Sequence, residues 1–383
     1  MLPVFKAQID DDTIAAAAAV LGSGWLGMGG VVESFEHELA RFLELPDERK
    51  VVAVNTGTSA LHLALLAAGV RAGDEVITPA FNNLGDFQAI AACGADPVFC
   101  DVHDDDLTLD LDSCWSLLGP RVKAILPLHY MGFACDAAVY DFARANGLRV
   151  VEDACHAIGS RWPVNAGMAR RRIGAVGDLQ CFSFDPIKTI TCIDGGAVTC
   201  GEDEVETIRR ARLLGVAQPP ERRYVEVGRS LAAADGRYDV HGPGFRYHLA
   251  NVHAAIGLSQ LEHLPAWIDA RRSYATYYND AFAELPLRTP PGSLDGVSLF
   301  GYAVRVPGAR REQLRAHLRE RGVDSGVHWR PGHWLSWFSG CRGADRLPVS
   351  DWVGDEITTL PLWSLMSEDD CDQVVDAVGS FYA

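Results

Sequence analysis

The chain has 383 residues, enough for two domains around sizeable cores. Its 48% hydrophobic and 22% charged residues are the balance of an ordinary globular enzyme. The formal net charge of −17 argues against a nucleic-acid partner, which needs clustered Lys and Arg, but permits a small phosphorylated ligand held by backbone N–H groups. The N-terminus has no basic stretch followed by an apolar core, and no apolar run reaches membrane-spanning length. Ten cysteines are scattered without a Cys-x-x-Cys pair, which fits reduced thiols and no metal site. The expectation is a cytoplasmic protein with no membrane partner.

Residues 11–21 are Ala-rich and predict a helix with acidic residues at its start. Gly22 to Gly27 satisfies Gly-x-Gly-x-x-Gly, but a helix precedes it where a dinucleotide fingerprint needs a strand. It reads as a glycine-rich connection to an amphipathic helix over 33–43. A strand over 50–54 runs into Asn55-Thr-Gly-Thr-Ser59 and then a helix over 60–68. A strand, a turn of small residues and a helix N-terminus make an anion site, although Thr and Ser also favour such turns as simple caps. Strands follow at 75–78, 97–101, 123–128 and 148–151, with helices at 87–93 and 137–146. This alternation predicts an α/β fold with a mostly parallel sheet covered on both faces. Residues 162–177 read as a basic surface loop, 202–214 as a helix and 217–242 as a long polar loop. Helices are expected at 249–261 and 271–285, with a bend at Pro265 between them. Strands at 297–306 and 326–329 and helices at 311–321 and 369–381 complete a smaller α+β unit. The expected division is a large domain, 1–252, and a small one, 253–383.

The most informative stretch runs from Cys181 to Ala197. An apolar strand, 179–184, is broken by Asp185-Pro186, and Lys188 follows. The chain has only four lysines, at 6, 50, 123 and 188, against thirty arginines. Desolvation lowers the pKa of a lysine, and a neutral lysine attacks carbonyls. In sheets of this kind ligands sit beyond the strands' carboxyl ends. Ser59, Asp153, His156, Ser183 and Lys188 all fall there. Pyridoxal phosphate asks for such a set: a lysine for the Schiff base, a carboxylate for the pyridine nitrogen and an anion site for the phosphate. Taken singly, Asp153 is explained as a turn cap, His156 as a structural histidine and Lys188 as a surface lysine. Their convergence at separate strand ends favours the cofactor reading.

The segments Asn55-Thr-Gly-Thr-Ser-Ala-Leu61, Glu152-Asp-Ala-Cys-His-Ala157, Cys181-Phe-Ser-Phe-Asp-Pro-Ile-Lys188, Asp194-Gly-Gly-Ala-Val198 and Ala254-Ala-Ile-Gly-Leu-Ser-Gln-Leu261 resemble the DegT/DnrJ/EryC1/StrS family of pyridoxal-phosphate-dependent sugar aminotransferases. Val327-His-Trp-Arg-Pro-Gly-His333 and Leu360-Pro-Leu362 resemble the family's substrate-side segment. The resemblance implies fold type I, with Lys188 as the Schiff-base lysine and later acid/base. It implies Asp153 on the pyridine nitrogen, His156 near the ring oxygen, and Gly57, Thr58, Ser59 and Ser183 on the phosphate. It also implies homodimers with shared active sites, to which Arg246 would contribute across the interface. Substrate contacts are expected at Asp185, His248, His328 and Trp329. The chain departs from the family at Asn83, where an aromatic often covers the cofactor, so that either Asn83 or Phe81 covers it here. It departs again at Arg246 and His248, and at Asp185 in place of a common His. The expected reaction carries an amino group from glutamate to a nucleotide-linked 4-keto-6-deoxy sugar. Alternatives are a 3-keto sugar or keto-cyclitol acceptor, a sugar 3-dehydratase (against which the retained Lys188 argues) and a cofactor-binding sensor without activity.

Overall fold

The computed structural model describes residues 1–164, 170–217, 239–290 and 292–383. The middles of the two expected loops, 165–169 and 218–238, lie outside the described residues. Two helices open the chain, α1 (Asp11–Ser23) and α2 (Gly30–Phe42). Asp10 caps α1 by accepting from the Thr13 N–H at 2.8 Å. Then follow β1 (Arg49–Val54), α3 (Gly57–Ala67), β2 (Glu75–Pro79), α4 (Leu84–Ala92), β3 (Asp96–Cys100) and the short α5 (Leu111–Cys114). Next come β4 (Val122–Ile125), α6 (Ala138–Ala145), β5 (Arg149–Asp153), β6 (Leu179–Ser183), β7 (Gly196–Gly201) and α7 (Glu202–Ala211).

These strands form one seven-stranded sheet in the order β1-β7-β6-β5-β4-β2-β3. Only β7 is antiparallel to its neighbours, β1 and β6; the other neighbouring pairs are parallel. The side-chain period of two splits each strand between two cores. Val51, Ala53, Ile77, Ile125 and Val150 join α2 and α6 on one face. Val52, Val54, Val76, Ala124 and Val151 join α3, α4 and α7 on the other. The expected mostly parallel, doubly covered sheet is what forms.

The C-terminal half differs from the expectation in three places. The two helices expected around Pro265 are one helix, α8 (Asn251–Phe282), of 32 residues. An internal proline costs a helix roughly 3 kcal/mol, and packing along both halves offsets it. Leu261, Leu264, Trp267 and Ile268 enter the core under the large sheet, whereas Ala275, Tyr278 and Phe282 enter the core of the small unit. Second, 326–329 is not a strand. Only Gly326 bridges to Thr359, and the true partner of β8 (Tyr302–Arg305) is β9 (Ile357–Leu360), antiparallel to it. His328 and Trp329 turn their rings toward other aromatic side chains and leave the ladder. Third, between α9 (Arg311–Glu320) and β9 lies a helix absent from the expectation, α10 (Pro348–Glu356), with Pro348 in its first turn. The chain closes with α11 (Glu368–Tyr382), capped reciprocally by Ser367 and Asp370. The loop expected to be a basic surface is also more structural than its composition suggests: Trp162 is buried, Arg172 pairs with Glu44 at 3.1 Å and Arg170 with Asp295 at 2.9 Å. No helix among the described residues is long and apolar enough to cross a membrane.

One buried cation ties the long helix to the small unit. Arg271 on α8 is 1% exposed. Its Nε donates to Ser364 Oγ at 3.0 Å and its Nη1 to the carbonyls of Leu299 and Phe300 at 3.2 and 2.9 Å. Removing it strands those acceptors without water. Arg271→Ala is expected to lower unfolding free energy by about 3 kcal/mol or more, and equilibrium denaturation of the variant against wild type checks it.

Candidate active site

The carboxyl ends of β1, β2, β5 and β6 meet at one cavity of about 530 Å³. Its first wall is the start of α3. Thr56 is the cap: its Oγ1 accepts from the Ser59 N–H at 3.0 Å. The N–H groups of Gly57 and Thr58 are left without intrahelical partners, at the positive end of the helix dipole. The backbone here lies hard against the end of β6. A Cβ on Gly57 would fall 2.7 Å from the Cβ of Ser183 and 3.0 Å from its Oγ. Only glycine fits, and two N–H groups and a hydroxyl therefore converge on one place.

The second wall is the end of β5. Asp153 is its last residue, 2% exposed, with Oδ1 accepting from the Cys155 N–H at 2.8 Å. The third is the turn after β6. Asp185 Oδ1 accepts from the Ile187 N–H at 3.0 Å, and the Asp185 carbonyl accepts from the Lys188 N–H at 3.0 Å. The Asp185-Pro186 break therefore closes a tight turn that returns Lys188 to the cavity. Lys188 Nζ lies 4.3 Å from the centroid of the Phe300 ring. His156 stacks on the same ring at 4.1 Å and 11°, and Trp329 stacks on His156 at 5.8 Å. His156 Nδ1 accepts from the Met131 N–H at 3.4 Å, which leaves the proton on Nε2. Burial, and then the charges of Lys188 and His328, push His156 well below the usual imidazole range. His328, whose Nδ1 is 2.9 Å from Thr359 Oγ1, is pushed down to about 4 by burial and then by Lys188.

Of the residues singled out in the sequence, Gly57, Thr58, Asn83 and Asp153 line the cavity, as do His156, Ser183, Asp185, Lys188 and Trp329. Four others do not. The Ser59 hydroxyl is turned into the cap, donating to Asn55 Oδ1 at 2.7 Å. His328 sits behind Trp329 against Phe5 and Thr359. His248 pairs its backbone with Val54, while Arg246 is exposed and outside its own chain's cavity. Between the two candidates for covering a ring, Phe81 is buried against Tyr130 and Asn83 faces the cavity. The Asn83 side chain also caps α4, accepting from the Gly85 N–H at 2.7 Å. The sequence reading missed Asp86, Cys155, Asp194 and the aromatic floor, Phe300. Asp86 alone carried a signal, as the only charged residue in Leu84–Ala92.

The set fits pyridoxal phosphate. An anion site at Gly57, Thr58 and Ser183, a buried carboxylate and a lysine share one cavity, and the Gly57 backbone comes so close to Ser183 that a side chain would fill the anion site. No cluster of metal-ligating side chains occurs among the described residues.

Comparison with known proteins agrees. The model of the DegT/DnrJ/EryC1/StrS aminotransferase family matches residues 7–379. The aminotransferase TlmJ of Streptoalloteichus hindustanus is 33% identical, with a TM-score of 0.88 over 99% of this chain and 98% of its own. DesV of S. venezuelae, solved in complex with a ketimine intermediate, is 32% identical, with a TM-score of 0.85 over 97% of this chain and 94% of its own. The sugar aminotransferase CalS13 of Micromonospora echinospora is 29% identical, with a TM-score of 0.87 over 99% of this chain and 100% of its own.

The depressed histidines set a pH dependence. Between about pH 6.5 and 4 the unfolded chain protonates His328 and the folded chain does not, so stability falls on acidification, by about 1.4 kcal/mol per pH unit for each such proton, and nothing is lost above that window. His328→Gln is expected to fall less steeply than wild type across this window, as read by denaturation at stepped pH.

Proposed function

The chain belongs to the DegT/DnrJ/EryC1/StrS family of pyridoxal-phosphate-dependent aminotransferases, and from that premise we propose that it moves an amino group from glutamate to the ketone of a nucleotide-linked 4-keto-6-deoxy sugar. The observation that carries the reading is the single cavity in which Lys188, Asp153 and the Gly57–Thr58–Ser183 anion site meet. When bound, pyridoxal phosphate supplies a carbonyl that exchanges oxygen for nitrogen and a ring that takes up the electrons of a broken C–H bond.

The rest is the work of this chain's side chains. The N–H groups of Gly57 and Thr58 and the hydroxyl of Ser183 bind the phosphate. Asp153, held by the Cys155 N–H, keeps a proton at the ring nitrogen. Lys188 Nζ would hold the cofactor covalently and would serve as the acid and base that moves a proton at the substrate carbon. The Phe300 face stabilises that ammonium when it is charged. His156 is neutral, and its Nε2–H is free to donate to the ring oxygen. Asn83, Asp185 and Trp329 line the same cavity; Asn83 would cover the cofactor ring, and Asp185 and Trp329 would contact the sugar. His328 would act through Trp329, against which its ring packs, and His248 has no contact with these residues that gives it a role.

The sugar is supported by CalS13, named a sugar aminotransferase. The protein is proposed to work as a homodimer. Arg246 is exposed and absent from its own chain's cavity, while Leu84 and Ile193, beside cavity residues Asn83 and Asp194, expose apolar side chains. A second copy would cover them and bring Arg246 to the neighbouring phosphate. All ten cysteines are free, which suits a reducing, cytoplasmic setting.

The test is a panel of nucleotide-linked 4-keto and 3-keto sugars and keto-cyclitols, each with glutamate, read by product mass. The expected product is the aminated 4-keto sugar; amination of cyclitols alone, or loss of water at C3, would replace the reading. Lys188→Ala is expected to lose the visible absorbance of the attached cofactor and to reduce turnover by at least about 10³-fold with the fold intact by circular dichroism.

A further inference from the structure

Asp86 is unexplained by the roles assigned so far. It stands in the first turn of α4, is 0% exposed and lines the cavity. Neither of its carboxyl oxygens has a hydrogen-bond partner among the described residues. An acid at a helix N-terminus usually meets the dipole from a solvated position. Asp86 instead lies inside, in the wall of the cavity that Asp153 also lines, where the two carboxyls interact. Asn82 from its own segment, Lys188 from the turn after β6, and the thiols of Cys155 and Cys181 complete the groups that interact with it.

Two carboxylates hold only acceptors between them, and close, buried neighbours do not both ionise. Burial pushes Asp86 well up, and the charge of Asp153 pushes it further, against smaller opposing effects of Asn82 and Lys188. That direction favours the acid form of Asp86. A proton there converts a contact between two acceptors into a charge-assisted hydrogen bond.

We infer that Asp86 is a positioning residue for Asp153: its carboxyl O–H donates to the Asp153 carboxylate and fixes the orientation in which that carboxylate meets the cofactor ring. The inference rests on the assignment of Asp153 to the ring nitrogen. Asp153 is then held from two sides, by the Cys155 N–H and by the Asp86 O–H, and its remaining lone pairs are left for the ring. Asp86 also leaves the pair with one negative charge instead of two, matched to the one positive charge of a protonated pyridine.

The test uses the full chain without and with cofactor. In cofactor-free protein at neutral pH, the infrared difference spectrum between wild type and Asp86→Asn is expected to show the loss of one protonated-carboxyl C=O stretch. The same band is expected to shift in Asp153→Asn. For cofactor affinity, Asp86→Asn keeps a donor and is expected to stay within about 3-fold of wild type, whereas Asp86→Leu loses it and is expected to bind about 10- to 100-fold more weakly. Absence of the band, a band indifferent to Asp153→Asn, or wild-type affinity in Asp86→Leu would overturn the inference. A band that behaves as expected while Asp153→Asn binds cofactor normally would instead overturn the ring-nitrogen assignment, and the positioning role with it. The infrared measurement decides even if the Leu variant fails to fold.

Discussion

The structure depends on a junction where three backbones pass too close for side chains. β7 is wedged antiparallel between β1 and β6, and the turn from β1 into α3 lies across their ends. A Cβ on Gly196 would strike the Thr56 carbonyl, and one on Gly57 would strike Ser183. This closeness puts the open N–H groups of α3 beside a strand-end hydroxyl. It also fixes where β6 ends, and so where the Asp185-Pro186 turn delivers Lys188. Spreading the junction by the width of one methyl group would separate the anion site from the lysine.

The opposite wall comes from the small unit. Phe300, on the segment leading into β8, carries Lys188 and His156 on its ring, with Phe5 stacked on it at 4.8 Å. Its N–H donates to Met131 and its carbonyl accepts from Arg271. A helix that is buried in both cores therefore sets the position of the ring under the lysine. Rigid placement matters because a reacting group tolerates little displacement, and Lys188 is the group proposed to react.

β5 shows how one strand serves two environments. Asp153 faces the cavity, and its neighbour Glu152 points through the other face of the sheet. There Glu152 meets His129 at 2.9 Å, the Tyr140 hydroxyl and the Gln180 amide, and Arg49 joins through Gln180 at 2.5 Å. All of these polar groups find partners within the protein. The network pins the end of the strand from behind, so the cavity-facing carboxyl inherits a fixed backbone.

The sequence by itself determined the alternation of strands and helices, the turn of small residues that caps a helix at 55–59, and the presence of Asp153, Ser183 and Lys188 at or just past strand ends. These are local properties: a period of two or 3.6, a proline break, a cap. Because parallel strands bring their carboxyl ends to one edge, local reading also predicted that Asp153, His156, Ser183 and Lys188 would share a cavity, though not that Ser59 would turn away from it. Tertiary structure alone decided the rest. The persistence of α8 through Pro265 follows from burial on both sides, which no local propensity contains. The pairing of β8 with β9, where no strand was expected, joins segments some fifty residues apart. Phe300 as the floor under Lys188, and Asp86 as the neighbour of Asp153, come from residues that read locally as a core aromatic and a helix-start acid. Their chemistry depends on what lies across the cavity, and only the folded chain sets that distance.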